Sequence, residues 1–451
     1  MMNYNNLDQD STRELAEKAY VYGFPLVFGI QQIKRYLIQG MEGTPAPFNT
    51  LSHASHLAND KDTFVSVNND TLYSWVGIDL SVGPLILHVP NTDNRYYVGQ
   101  FVDAWSNNFA YIGQRSTGCE AQDFYLVPPN YQGNVPENMI KIEFPTTVGI
   151  IIFRWAISGI EELPIIKELQ AGTSITVEQP ENKGQGLPEI SEDVPEALHF
   201  FESMRLYINQ FPSSVADQVK IESQFERLGL LDKDTSLVNL ADQDVLSTLE
   251  AVGPAGVSLI QQMIQEKNAD ASNVNGWDVS LHMFDYNECY FEVGAINEPR
   301  WIIRKRSEAI VQRALAAMSG LWGNNSYEAI YPTIWNDSDQ QPLDGQHSYT
   351  VTFKPVPTNG FWSLTMYDVP EFYLVNNPIN RYSLGDRTKG IIYNDDGSLT
   401  ITLSHTQPET DIGKANWLPT PPGKFRPMLR VYQPKEELLS GDYQLPAIQK
   451  E

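Results

Sequence analysis

The sequence predicts an α+β fold that is mainly β, in the order helix, β domain, helical segment, β domain. Three observations carry this prediction. A chain of 451 residues is too long for one hydrophobic core, at roughly 100 to 200 residues per domain. Its apolar residues recur first at helical spacing, then alternate, then return to helical spacing and alternate again. Gly, Pro, Asn and Asp punctuate the alternating stretches, as turns between short strands require.

The first element lies between Ser11 and Gly40, where Leu15, Ala19, Tyr22 and Leu26 recur at three and four residues. Ser11 and Glu14 have the spacing of a capping box. Pro25 lacks a backbone donor, so the helix is expected to kink or split at Gly23-Phe24-Pro25 and resume over 27–39. From Thr63 to Arg154 the runs 85–89, 96–101, 124–127 and 150–153 read as strands of an antiparallel sandwich or barrel. Helices follow over 160–168, 194–210, 213–228, 245–265 and 304–319, with 182–188 as an internal linker. Strands return at 348–353, 361–367, 390–393, 399–403 and 428–432. Asn394-Asp-Asp-Gly397 is a hairpin turn signal between two of them, because Gly accepts positive φ.

The net charge of −25 repels phosphate backbones and anionic lipid, which argues against nucleic acid as a partner. No run of about 18 apolar residues exists to span a membrane; the best stretch, 148–157, is of strand length and is interrupted by Arg154. The first ten residues have neither a basic nor an apolar signal region, so a cytoplasmic location is expected. Cys119 and Cys289 are too few and too far apart for a disulfide framework or zinc site and are expected to be buried, reduced thiols.

The densest chemistry lies in residues 65–74 and 94–111. There Asn69, Asp70, Asp103 and Asn108 interrupt apolar alternation, and each must find hydrogen bonds if buried. Asp70 and Asp103 are candidates for an acid and base pair, with His56 or Tyr73 assisting, provided their oxygens lie about 5 to 10 Å apart. The aromatic neighbours Tyr73, Trp75, Tyr96, Tyr97 and Trp105 suit a sugar or another flat polar ligand. The structural alternative has Asp70 closing a turn and Asp103 pairing with Arg95 or Arg115. His53 and His56 share one helix face at best and lack an HExxH pattern, so no metal is expected. His282 is the histidine to watch. No nucleophile elbow, phosphate loop or dinucleotide fingerprint is present, and no cofactor is implied. In the last β domain, Arg381 and Arg387 bracket Asp386 and can clamp a carboxylate, either Asp386 itself or one on a ligand.

The chain resembles a bacterial and algal-virus family whose members carry a DUF1254 domain followed by a DUF1214 domain. The first part of the resemblance rests on Ala19-Tyr-Val-Tyr-Gly-Phe-Pro-Leu-Val27, Asn68-Asn-Asp-Thr-Leu-Tyr-Ser74, Arg95-Tyr-Tyr97 and Asp103-Ala-Trp-Ser-Asn107. The second rests on Gly320-Leu-Trp-Gly-Asn324, Tyr382-Ser-Leu-Gly-Asp-Arg387 and Asn416-Trp-Leu-Pro-Thr-Pro421. It implies an N-terminal β-sandwich, a helical middle segment and a C-terminal jelly-roll-like β-sandwich, and it brings no catalytic residues. Many relatives carry export signals, unlike the start of this chain. The resulting division is 1–47 helical, 48–160 β-sandwich, 161–325 helical and 326–451 jelly-roll-like.

The functional expectation is a small polar or aromatic ligand, a sugar or organic acid, in a cleft between the two β domains. Its candidate binding residues are Asn69, Tyr73, Tyr97, Trp105, Arg115, Trp362, Tyr382 and Arg387. One alternative is a hydrolase or lyase using Asp70, Asp103 and His56. A second is a homo-oligomeric assembly protein whose sheet edges are covered by other subunits.

Overall fold

The computed structural model describes residues 2–62, 65–269 and 273–451, so Thr63, the expected start of the first strand region, lies outside the described residues. Helix α1 (Thr12–Gln39) carries the capping box: Glu14 N donates to Ser11 Oγ at 3.3 Å and Ser11 N donates to Glu14 Oε2 at 2.9 Å. Ser11→Ala should therefore cost about 1 kcal/mol in a urea unfolding curve. The expected break at Pro25 does not occur, and one helix runs through it. Pro25 forfeits a helical hydrogen bond, but every residue from Ala19 to Val27 is buried, and this packing keeps the helix continuous through the defect. At Gly40 the backbone turns to φ 64°, where a Cβ would lie 1.3 Å from the Thr44 carbonyl oxygen.

The first sandwich comprises β1 (Ser52–His53), β2 (Thr71–Asp79), β3 (Leu85–Val89), β4 (Tyr97–Asp103), β5 (Asn108–Gly113), β6 (Gln122–Val127), β7 (Ile140–Glu143), β8 (Val148–Ala156) and β9 (Ser174–Val177). One sheet has the order β1-β2-β8-β4-β5 and the other β7-β6-β3-β9. Strand β9 carries this unit beyond residue 160. Between the sheets pack Leu72, Val76, Phe101, Phe153 and Trp155 from the first and Leu85, Leu87, Phe124 and Leu126 from the second. Central strand β8 is buried along its whole length, because both of its faces are covered. Its odd residues Ile151, Phe153 and Trp155 enter the sandwich core, while Ile150 and Ile152 join the helical cluster on the other side. Arg154 shares that outer face.

Helix α2 (Leu163–Gly172) packs Ile166 and Leu169 into the sandwich core, and the helices on the outer face of β8 are α3 (His199–Gln210), α4 (Val215–Lys220), α5 (Gln243–Ala269) and α6 (Arg306–Gly320). The expected helix over 213–228 is instead α4 followed by a 3-10 turn, Glu222–Leu228. Helix α1 contacts α3, α5 and α6, so the N-terminal helix and the middle segment form one layer. No helix among the described residues is long and apolar enough to cross a membrane.

The second sandwich comprises β10 (Asn273–Val274), β11 (Trp277–Asp278), β12 (Ala329–Ile330), β13 (Thr333–Ile334), β14 (Tyr349–Phe353), β15 (Trp362–Asp368), β16 (Ser383–Gly385), β17 (Leu399–Ser404), β18 (Trp417–Pro419), β19 (Phe425–Tyr432) and β20 (Gln449–Lys450). Sheet β10-β11-β13-β19-β15-β16, with β12 also on β19, faces sheet β18-β17-β14-β20. Strands β10 and β11 show that the chain returns to this sandwich before residue 326. The α+β class and the order of units hold. The strand expected at 390–393 is absent, because the Asn416 side chain serves as its partner. Asn416 Oδ1 accepts from Ile392 N at 2.9 Å and Asn416 Nδ2 donates to Ile392 O at 2.7 Å. The turn at Asn394 closes by Gly397 N to Asn394 O at 2.9 Å but joins no hairpin. Both thiols are free, yet neither is buried: Cys119 is partly exposed and Cys289 exposed.

Candidate functional site at the seam between the sandwiches

The residues around Asp70 bind the second sandwich directly. Asp70 is 4% exposed, and it accepts from Tyr432 Oη at 2.8 Å and Ser363 Oγ at 2.5 Å. Asn68 Nδ2 donates to the same tyrosine oxygen at 2.6 Å, and Asn68 Oδ1 takes the Asp70 and Thr71 N–H groups at 2.6 and 3.1 Å. Burial and the neighbouring Asp70 charge push the Tyr432 hydroxyl well above its ordinary pKa. Asp70 is also the carboxylate whose charge both Arg387 and Arg430 feel. Arg430 Nη2 donates to Ser66 O at 2.9 Å, closing the loop before β2 onto β19.

Most of the expected ligand residues turn out to serve the fold. Asn69 bonds Ala58 O at 2.6 Å and accepts from Ser383 Oγ at 3.2 Å. Tyr97 stacks on Trp155 at 5.2 Å inside the first core. Trp362 packs in the second core, 5.1 Å from Phe353. Tyr382 Oη donates to Asp60 Oδ1 at 2.6 Å. Arg387 lies over the Phe361 ring at 3.3 Å and donates to Asp70 O at 3.2 Å and Ile157 O at 3.4 Å. Arg381 donates to the carbonyls of Ala415 and Trp417, both at 2.9 Å, so neither arginine clamps Asp386, which accepts from Trp362 N at 3.1 Å. Arg115 pairs with Glu328 across the seam, where Glu328 also accepts from Tyr96 Oη at 2.8 Å. Trp105 Nε1 donates to Phe211 O at 2.8 Å, tying β4's end to the helical layer.

The paired-carboxylate arrangement is contradicted. Asp70 O accepts from Ile157 N, just past β8, whereas Asp103 is registered on Gly149 near the start of β8. Eight residues of strand place them roughly 26 Å apart at ~3.3 Å per residue, well beyond the span of a glycosidase pair. His56 touches neither; its Nδ1 lies 2.9 Å from Glu42 Oε1, with the side chain 49% exposed. Asp103 pairs with no arginine of the kind expected: its oxygens accept from the N–H groups of Trp105 and Asn107 at 2.9 and 2.8 Å and from Asn107 Nδ2 at 2.9 Å.

Burial pushes the Asp103 carboxyl up to about 6, against the pull of its Asn107 and Trp105 hydrogen bonds and the Arg313 charge. The folded chain thus holds this proton more tightly than the unfolded chain, whose value is 3.8. The stabilisation from that proton is full below the unfolded value and is lost as pH rises to the folded one, on the order of 3 kcal/mol in all. Asp103→Asn keeps an acceptor for both N–H groups. In urea unfolding, the stability difference between variant and wild type should grow from about pH 4 to about pH 6 and then level off.

Of the expected ligand residues, Tyr73 is the one that lies beside a buried cation without a carboxylate partner. It is half-buried on the outer face of β2 and is registered opposite Arg154 of β8. Arg154 is 7% exposed and is bonded only to neutral groups. Its Nη1 donates to Gln100 Oε1 at 2.7 Å and Asn324 Oδ1 at 3.3 Å, its Nη2 to Trp322 O at 3.0 Å, and its Nε to Tyr73 Oη at 3.3 Å. No carboxylate among the described residues lies within ion-pair distance of it. Although burial opposes the charge, Tyr73 and Tyr331 beside it keep the guanidinium strongly protonated. Tyr331, half-buried and from the second sandwich, accepts from Asn324 Nδ2 at 2.9 Å. Neither the Tyr73 nor the Tyr331 hydroxyl donates its own proton to any acceptor among the described residues. Next to them Tyr36 packs 4.2 Å from Trp75 and 6.4 Å from Trp322, and the buried Trp75 Nε1 has no hydrogen-bond partner among the described residues. The patch is therefore rich in donors, carries one uncompensated positive charge and has aromatic walls. Arg154, Tyr331, Trp322 and Asn324 escaped sequence reasoning, though a cation inside the apolar run 148–157 was a visible signal.

A model of the family described as "Protein of unknown function (DUF1254)" matches residues 48–177, and one described as "Protein of unknown function (DUF1214)" matches residues 328–436. The VPA0106 protein from Vibrio parahaemolyticus, known from a crystal structure, is similar with TM-score 0.73 and 21% identity, over 98% of this chain and 100% of that one. At that identity the likeness speaks for the fold alone. An uncharacterized protein from Burkholderia cenocepacia aligns at 9% identity and TM-score 0.44, over 100% of this chain and 98% of that one. No curated protein matches the chain. With both domain models matched in order around a helical segment, the chain belongs to the family of proteins that carry a DUF1254 domain followed by a DUF1214 domain.

Proposed function

We propose that this protein binds a small organic acid at the seam, its carboxylate accepting from the Tyr73 and Tyr331 hydroxyls beside Arg154 and its flat body lying against Tyr36, Trp75 and Trp322. The observation that carries this reading is Arg154, a buried guanidinium with neutral partners only. Buried charges are ordinarily paired, and an entering carboxylate supplies the missing charge. The hydroxyls supply directional bonds, and the rings suit an aromatic body better than an aliphatic one.

A thermal-shift comparison tests it. Sodium benzoate should raise the melting temperature more than sodium acetate at equal ionic strength, and uncharged sugars should leave it unchanged. At a hundred times its dissociation constant a ligand adds about 2.7 kcal/mol of stability, a shift of a few degrees. Equal shifts from benzoate, acetate and sugars, or none, contradict the reading.

A further inference from the structure

We infer that the acid bound at the seam carries a hydrogen-bond acceptor on the edge of its ring away from the carboxylate, a ring nitrogen or a ring-borne oxygen, and that Trp75 Nε1 recognises it; this rests on the organic-acid reading above and narrows the class of ligand.

Thr71, Tyr73 and Trp75 alternate along β2 and so present their side chains on one face, the face that carries Arg154 on β8. Each has hydrogen-bonding capacity left unused among the described residues. Tyr73 Oη accepts from Arg154 and keeps its own proton free, and the buried Thr71 Oγ1 and Trp75 Nε1 have no partner. Trp75 is 4% exposed. It is registered on Ile152 of β8, and the ring of Tyr36 packs 4.2 Å from it, so its neighbours on this face are apolar and none takes the indole N–H. A buried donor left unpaired is costly.

Two residues of strand separate Trp75 from Tyr73 by roughly 6.6 Å, comparable with the span of one aromatic ring. With the carboxylate at Tyr73 and Arg154, the far edge of the ring comes to Trp75. Thr71 lies on the other flank of Tyr73, opposite Ala156 in the cluster that joins the sandwiches, whereas Tyr36 and Trp322 belong with Trp75 to the helical cluster. A plain benzene ring there leaves the indole N–H unpaired, and an acceptor at that edge pairs it.

Isonicotinate and benzoate test this, because they differ only in a ring nitrogen that replaces the C–H opposite the carboxylate. At mildly alkaline pH, where that nitrogen is unprotonated, isonicotinate should bind the wild type roughly 3- to 10-fold more tightly, the worth of one neutral hydrogen bond. The affinities are read from the concentration dependence of the melting temperature. In Trp75→Phe, which keeps a ring and loses the donor, the two acids should bind alike. Equal affinities in the wild type, as when the indole N–H is spent on the Tyr36 ring, overturn the inference and leave the organic-acid reading standing on benzoate. A preference for isonicotinate that persists in Trp75→Phe overturns it as well, and no shift from either acid overturns both readings. If the variant does not fold, a crystal structure of the wild-type isonicotinate complex decides. A ring nitrogen within about 3.2 Å of Trp75 Nε1 supports the inference, and a nitrogen turned to any other group overturns it.

Discussion

Arg154→Met should abolish stabilisation by benzoate, weakening its binding by roughly 10- to 150-fold. That range corresponds to the ~1.5–3 kcal/mol of a hydrogen-bonded interaction with a charged group. The variant also strips a donor from Gln100 Oε1, Asn324 Oδ1 and Trp322 O, and each buried acceptor left unpaired costs about 1 to 3 kcal/mol. Its own melting temperature will fall, so the informative quantity is the ligand-induced shift. Tyr73→Phe and Tyr331→Phe keep their rings and remove one donor each, and each should weaken benzoate by roughly 5- to 10-fold, about 1 kcal/mol. If Arg154→Met binds benzoate as wild type does, the charge at the seam has no part in recognition.

Asp70→Ala is expected to destabilise the protein by about 3 to 5 kcal/mol, the cost of removing one partner from a buried charge network. Ser363 and Tyr432 lose their acceptor, and Arg387 and Arg430 lose the carboxylate between them. Because these bonds join the first sandwich to the second, calorimetry should show an unfolding profile broader or more divided than that of the wild type as the sandwiches uncouple. Asp70→Asn retains one acceptor oxygen and should show a smaller loss. A variant with wild-type stability and a wild-type profile would remove Asp70 from the account of the seam.

The fold was legible where periodicity ruled. Strand β3 coincides with its expected run, and the capping box of α1 formed as spaced. It was illegible where tertiary contact replaced local rules: Pro25 stays within a helix because its surroundings are packed, and 390–393 is no strand because one asparagine side chain takes its backbone groups. The site was legible only in part. The polar run around Asp70 was recognisable as unusual, but its sequence is equally suited to holding a ligand or a neighbouring domain. Its partners Ser363 and Tyr432 lie 293 and 362 positions away, a separation that no local pattern reveals. Asp70 and Asp103 looked like a pair because they are near in sequence, whereas the strands between them carry them to opposite ends of β8. Arg154 carried the opposite signal, since a cation in a nine-residue buried strand is costly unless it is used.

The most direct measurement is a crystal structure of the wild-type protein in sodium benzoate. Density is expected for the carboxylate between the Tyr73 and Tyr331 hydroxyls, with the ring against Tyr36, Trp75 and Trp322. Benzoate bound only elsewhere, or an empty seam at saturating concentration, would contradict the organic-acid reading.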